Sequence, residues 1–217
     1  ILSMGNAASQ ISSIAATNDL TSGLQFIHNT NNLSRLMNDE NEFKLYLDTL
    51  HSIKNKLSSD PNYSFTASSL DLNDLKLNTI FKSESINFNN QSFVDTQDSS
   101  IGWITGSQVC FCAEAFPSVD SKHEDAPALT ILGTVLRNGY LHSAIREKGG
   151  AYGSGAAQDS NNKVFKFFSY RDPKCSETFE EFQKSRNWSL KEISAEQLEE
   201  GILGVISSID KPLSPYG

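Results

Sequence analysis

The sequence predicts an α+β fold, an antiparallel-rich sheet with helices packed on one face. Three features carry that expectation. Apolar residues recur at helical intervals before Asp60 and again after Ser176, short alternating segments lie between them, and one long helical stretch separates the alternating segments. At 217 residues, 38% hydrophobic and 20% charged, the chain has enough apolar material for a core and is neither disordered nor fibrous.

The elements follow in chain order. Leu20, Leu24, Ile27, Leu33 and Leu36 recur at helical spacing, with a break expected at Asn29–Asn32. From Asp39 to Leu57 the pattern is clearer, with Phe43, Leu47, Leu50 and Leu57 on one side and Lys44, Asp48, Lys54 and Lys56 on the other. Pro61 ends that helix. Tyr63–Ala67 alternates like a strand, and a short helix is expected from Asp71 to Phe81. Between Ser83 and Ser100, Asn, Ser, Gln and Asp dominate, which reads as a linker or domain boundary. Ile101–Thr105 and Gln108–Phe116 look like neighbouring strands. Asp120–Glu147 reads as the longest helix, with Leu129, Leu132, Leu136, Tyr140 and Ala144 as its buried stripe. A glycine-rich stretch, Gly149–Gly155, follows and leads to the aromatic strand Lys163–Tyr170. Helices are expected over Ser176–Arg186 and Ser194–Ile209, the latter opened by a capping box of Ser194 and Gln197.

Composition also excludes. Eighteen Lys+Arg against 26 Asp+Glu give a net charge of −8 and a pI near 5.0. That balance disfavours nucleic acid, because it leaves no excess of cations to displace phosphate counterions. No apolar run approaches the roughly 20 residues that span a bilayer, so no membrane partner is expected. Three cysteines are too few for a disulfide scaffold. Cys110 and Cys112, two apart in an extended segment, should share one sheet face and read as small buried apolar residues. Zinc would need a second ligand pair that Cys175 alone does not supply. His28, His51, His123 and His142 stand apart, and none belongs to a zinc-helix motif. The chain opens at Ile1 instead of Met and closes near Pro212, Pro215 and Gly217. It therefore reads as a segment of a longer polypeptide, incomplete at both ends.

The densest cluster of chemistry runs from Leu136 to Gly155. Arg146 ends the long helix, and Tyr152 follows six residues on, past a glycine pair that allows a sharp turn. Guanidinium and phenol both donate hydrogen bonds without competing for a proton near neutrality, which suits holding a carbonyl or an oxyanion. The residues also admit a plain structural account, in which Arg146 complements the helix dipole, the glycines cap the helix and Tyr152 packs on the sheet. A phosphate-binding reading of Gly149–Gly155 lacks both the required spacing and a following helix. Gly153-Ser-Gly155 is too short for a nucleophile elbow.

Tyr140-Leu-His142, Ile145-Arg-Glu-Lys-Gly-Gly-Ala-Tyr-Gly153, Ser169-Tyr-Arg-Asp-Pro173 and Ile209-Asp-Lys-Pro212 resemble the C-terminal half of pitrilysin/insulinase-type zinc peptidases, closest to the presequence-protease subgroup. The resemblance implies a clamshell of related processing-peptidase-like α+β domains enclosing a chamber. In that frame residues 1–85 would be the tail of a third domain, 86–100 a polar linker and 101–217 a truncated fourth domain. The resemblance places the zinc motif in the N-terminal half of the same polypeptide, so zinc is expected in the full-length enzyme and none on this segment. It also implies that Arg146 and Tyr152 reach a peptide substrate and stabilise the oxyanion, while Gly149, Gly150 and Gly153 shape the loop presenting Tyr152. Unfolded peptides such as targeting presequences are the implied substrates, in the cytoplasm of a bacterium or the matrix of an organelle. A non-catalytic homologue acting as a binding or assembly subunit is the alternative, and a nucleotide-binding module a third.

Overall fold

The computed structural model describes residues 2–59 and 100–210. Residues 2–28 and 100–210 pack as one compact unit, and residues 29–59 belong to a second. The expected strand Tyr63–Ala67, the helix Asp71–Phe81 and the polar linker up to Ser99 lie outside the described residues.

In the larger unit, α1 (Leu2–Ser9) and α2 (Ser13–Ser22) form a helical pair. Ser12 caps α2, its hydroxyl accepting from Ala15 N at 3.4 Å. Helix α3 (Leu24–Leu36) runs without interruption through Asn29–Asn32, so the expected break is displaced. It falls at Gly23, where buried Asp19 accepts from Leu24 N at 2.9 Å and a side chain would strike the Asp19 carboxylate. Asp19 is held in turn by Asn6 at 2.8 Å, and Asn6 accepts from the Trp103 indole at 2.9 Å. In the second unit, α4 (Glu40–Ser59) matches the expected helix, with Glu40 and Glu42 in its first turn and Lys56 in its last.

Among the described residues the sheet is three-stranded, antiparallel and ordered β1-β3-β2. Its strands are β1 (Ala113–Pro117), β2 (Gly153–Asp159) and β3 (Val164–Tyr170). The register pairs Ala113 with Phe168 on one side of β3 and Gly153 with Tyr170 on the other. Because side chains alternate across a strand, Phe165 and Phe167 share one face while Val164, Phe168 and Tyr170 share the opposite one. Phe165 and Phe167 join Leu136, Leu141, Ile145 and Phe182 in the main core. The Phe167 ring lies 5.6 Å from Phe182 and 5.4 Å from Phe165. Across the sheet, Val164 packs with Ala8 and Ala15 in a smaller cluster. The fold is thus α+β, with the main helical layer on one face and α1 and α2 closing part of the other.

Two elements differ from the sequence expectation. Among the described residues, Ile101–Thr105 pairs with no strand and leaves Ile104 fully exposed, while the paired strand begins only at Ala113, after an isolated bridge between Cys110 and Asp172. The stretch Asp120–Glu147 is not one α-helix. After turns at 121–125, α5 (Ala126–Val135) passes directly into a π-helix, Leu136–Glu147. The buried positions Leu136, Leu141 and Ile145 are separated by five and four residues, wider than the alternation of three and four that keeps an α-helix on one face. Helices α6 (Ser176–Ser189) and α7 (Ala195–Ile209) complete the unit. The capping box of α7 is formed in both directions, Gln197 N to Ser194 Oγ at 3.2 Å and Ser194 N to Gln197 Oε1 at 3.0 Å.

Candidate functional site

The π-helix ends in a nested closure. Gly150 N donates to Arg146 O and Ala151 N to Ile145 O, each at 3.1 Å, with Gly150 in the left-handed region at φ +84°. A Cβ on Gly149 would lie 2.3 Å from Ile145 O, so only glycine lets the chain fold back this tightly. The chain then enters β2, where Ser154 Oγ donates to Leu141 O at 3.0 Å and ties the strand to the π-helix. The glycines of this stretch, of which Gly149, Gly150 and Gly153 are expected to shape the loop, therefore divide into two roles. Gly149 and Gly150 make the turn, while Gly153 and Gly155 belong to a strand, their bare faces covered by the rings of Tyr170 and Phe168.

Arg146 and Tyr152 both reach solvent on either side of this turn. Arg146 lies on the last turn of the π-helix, with its guanidinium 3.2 Å from His142 Nε2, and His142 Nδ1 is 3.5 Å from Glu147 Oε1. Donation by Arg146 requires the His142 tautomer that leaves Nε2 free and turns its N–H toward Glu147. Tyr152 is 64% exposed, so it rests on the edge of the sheet with much of its ring in solvent. Its ring stands 5.7 Å from that of Tyr170, and the Arg171 guanidinium lies 5.5 Å from its centroid. The Tyr152 backbone N–H donates to Arg171 O at 3.3 Å. Arg146 and Tyr152 thus have separate sets of neighbours, one on the helix and one on β3.

Tyr170 and Arg171 are the residues that reading for chemistry overlooked. Their signal lies in Ser169-Tyr-Arg-Asp-Pro173 at the end of β3, where Arg171 takes φ +49°, a conformation uncommon for a residue with a side chain. Beyond it, Asp172 is wholly buried. It accepts from Thr178 Oγ1 at 2.7 Å and from Lys174 N at 2.9 Å, and its backbone exchanges two hydrogen bonds with Cys110. A cavity of about 490 Å³ lies between the π-helix and α6, lined by residues including Tyr140, Lys148, Lys174 and Glu181. Neither Arg146 nor Tyr152 lines it. Tyr140 donates to Glu181 there at 2.8 Å, and burial together with that carboxylate pushes its phenol up to about 12.

Residues 104–216, just over half of the chain, match the family model described as PreP C-terminal domain. The chain belongs to that family. Among curated proteins, it is 39% identical over 108 residues to the mitochondrial presequence protease of Yarrowia lipolytica, covering 49% of this chain and 11% of that protein. It is 26% identical over 234 residues to the mitochondrial presequence protease of Eremothecium gossypii, covering 97% of this chain and 23% of that protein. The counterpart from Drosophila melanogaster is 37% identical over 116 residues, which is 52% of this chain and 11% of that protein. The chain therefore spans between a tenth and a quarter of these relatives. Arg146, the glycine turn, Tyr152 and the Tyr170–Pro173 segment all fall inside the matched region.

Among the described residues, no group of three or more His, Cys, Asp or Glu side chains could hold a metal ion. The donor set needed for zinc is not present there.

Proposed function

We propose that this chain is the C-terminal portion of a metallopeptidase that cleaves unfolded peptides such as targeting presequences, and that Arg146 and Tyr152 are its contribution to the reacting site. The observation that carries the proposal is the placement of two exposed hydrogen-bond donors on either side of one tight glycine turn, each braced by its own neighbours. The guanidinium would hold the substrate backbone and, with the phenol, donate to the carbonyl oxygen as it gains negative charge. The turn, the Tyr170 ring and the Arg171 guanidinium limit how far Tyr152 must be ordered when substrate binds. The described residues are assigned no metal-binding role; the zinc that the resemblance implies would be held by another part of the polypeptide. The net charge of −8 favours basic peptides over acidic ones.

The test uses the full-length product of the gene, with Arg146→Ala and Tyr152→Phe assayed on a basic, unstructured peptide. Each substitution should lower kcat by about 10²–10³, the usual cost of an oxyanion donor. Stability should change by less than about 0.5 kcal/mol, because both side chains are exposed. Wild-type turnover in both variants would remove these residues from the reaction, and no turnover by the unsubstituted full-length protein would favour the binding or assembly role instead.

A further inference from the structure

Cys175, more than 60 residues away in sequence, lies against Cys110 and Cys112. Cys110 and Cys112 both lie just before β1, and Cys175 stands at the N-cap position of α6 without using its side chain to cap the helix. The Sγ atoms of Cys112 and Cys175 are 3.9 Å apart, and the Cys110 thiol also interacts with Cys175. All three are free thiols, graded in access from exposed Cys175 through half-buried Cys110 to Cys112, which is 3% exposed.

We propose that Cys175 and Cys112 form a disulfide on two-electron oxidation by a peroxide, with Cys175 as the thiol that meets the oxidant. The Cys175 thiolate attacks one peroxide oxygen, so an S–O bond forms, the O–O bond breaks, and the departing hydroxide takes a proton to become water. Sulfur is oxidised by two electrons and the peroxide is reduced by two. The Cys112 sulfur then attacks the Cys175 sulfenic acid; the S–S bond forms, and the Cys112 proton leaves with the hydroxyl as a second water. The sulfurs must close from 3.9 Å to a bond of about 2.05 Å, a step that side-chain rotation at an exposed, non-capping position can supply. Burial raises the Cys110 thiol and pushes that of Cys112 up to about 12, so both stay protonated and shielded, and oxidation enters through Cys175. The bridge would clamp the start of α6 to the entry of β1. It encloses the segment carrying Asp172 and Arg171, whose guanidinium and carbonyl brace Tyr152.

The full-length protein is treated with hydrogen peroxide, alkylated, digested without reduction and mapped by mass spectrometry. The peptides bearing Cys112 and Cys175 should appear as a linked pair about 2 Da lighter than their sum, and should separate on reduction. Cys175→Ser should abolish the linked species, and Cys110→Ser should retain it. In Cys112→Ala, dimedone should trap Cys175 as a sulfenic acid, about 16 Da above the thiol before trapping. The proposal is overturned if Cys175 proceeds only to sulfinic acid without a linked peptide, or if the linked partner is Cys110. Because Cys175 is exposed, its serine variant gives this answer even if Cys112→Ala fails to fold.

Discussion

Asp159 shows how a single side chain couples the sheet to pH. Burial by itself would raise its carboxyl, but hydrogen bonds from Lys166 and Asn162 outweigh that and hold it below the usual carboxylate range. Lys166 Nζ lies 2.6 Å away, and both side chains are mostly buried. A carboxyl whose folded pKa is depressed contributes stability above its unfolded pKa and loses it as pH falls through the folded value. Urea unfolding measured from about pH 6 to pH 2 should therefore show an acid-side loss that Lys166→Met reduces by about 1 kcal/mol. Identical pH profiles for the two proteins would mean that the pair is not coupled to folding. Arg186 illustrates a different balance. Its Nη1 lies 3.2 Å from Glu114 Oε2 without hydrogen-bond geometry, while its guanidinium sits 4.6 Å from the centre of the Phe116 ring. The contact with Phe116 is therefore better defined than the ion pair.

The turn between the π-helix and β2 is the element on which the site depends. Its closure leaves no room at Gly149, where an added methyl would meet backbone, not a side chain that can rotate away. Gly149→Ala should cost about 1–3 kcal/mol in urea unfolding and, under the proposed function, lower turnover of the full-length protein through displacement of Tyr152. Unchanged stability would show that the π-helix can rewind to accept the methyl. At the level of elements, α4, α6 and α7 were legible because each carries its own signals: an acidic first turn, a basic last turn or a capping box. Strand β2 was not, because Gly-Ser-Gly-Ala-Ala has little intrinsic strand propensity. It becomes a strand through pairing with β3, whose Phe168 and Tyr170 rings cover its glycines. The π-helix was hidden for a related reason. Apolar residues at 129, 132 and 136 fit an α-helical stripe, and only the wider spacing of Leu136, Leu141 and Ile145 records the change of winding.

Across the whole molecule, protection from solvent should follow the central strand. Strand β3 is paired on both sides and contributes Val164, Phe165 and Phe167 to cores on its two faces, whereas the described side chains of α4 are almost all exposed. Hydrogen exchange on this chain should therefore be slowest in β3 and at least about tenfold faster in α4. Equal protection of α4 would show cover that its surroundings here do not explain. By itself the sequence determined the α+β class, the positions of the later helices and the aromatic strand, and the Arg146-to-Tyr152 stretch that places the chain in its family. These rest on local periodicity, capping and short motifs, which act over a few residues. Only the tertiary structure decided that Tyr170 and Arg171 brace Tyr152, that Asp172 locks the segment behind them, and that distant Cys175 lies against Cys110 and Cys112. Those contacts join residues separated by up to 65 positions, as Cys110 and Cys175 are. They exist because burying the β3 aromatics draws the ends of β1, β3 and α6 together, a long-range consequence of packing that no local pattern encodes.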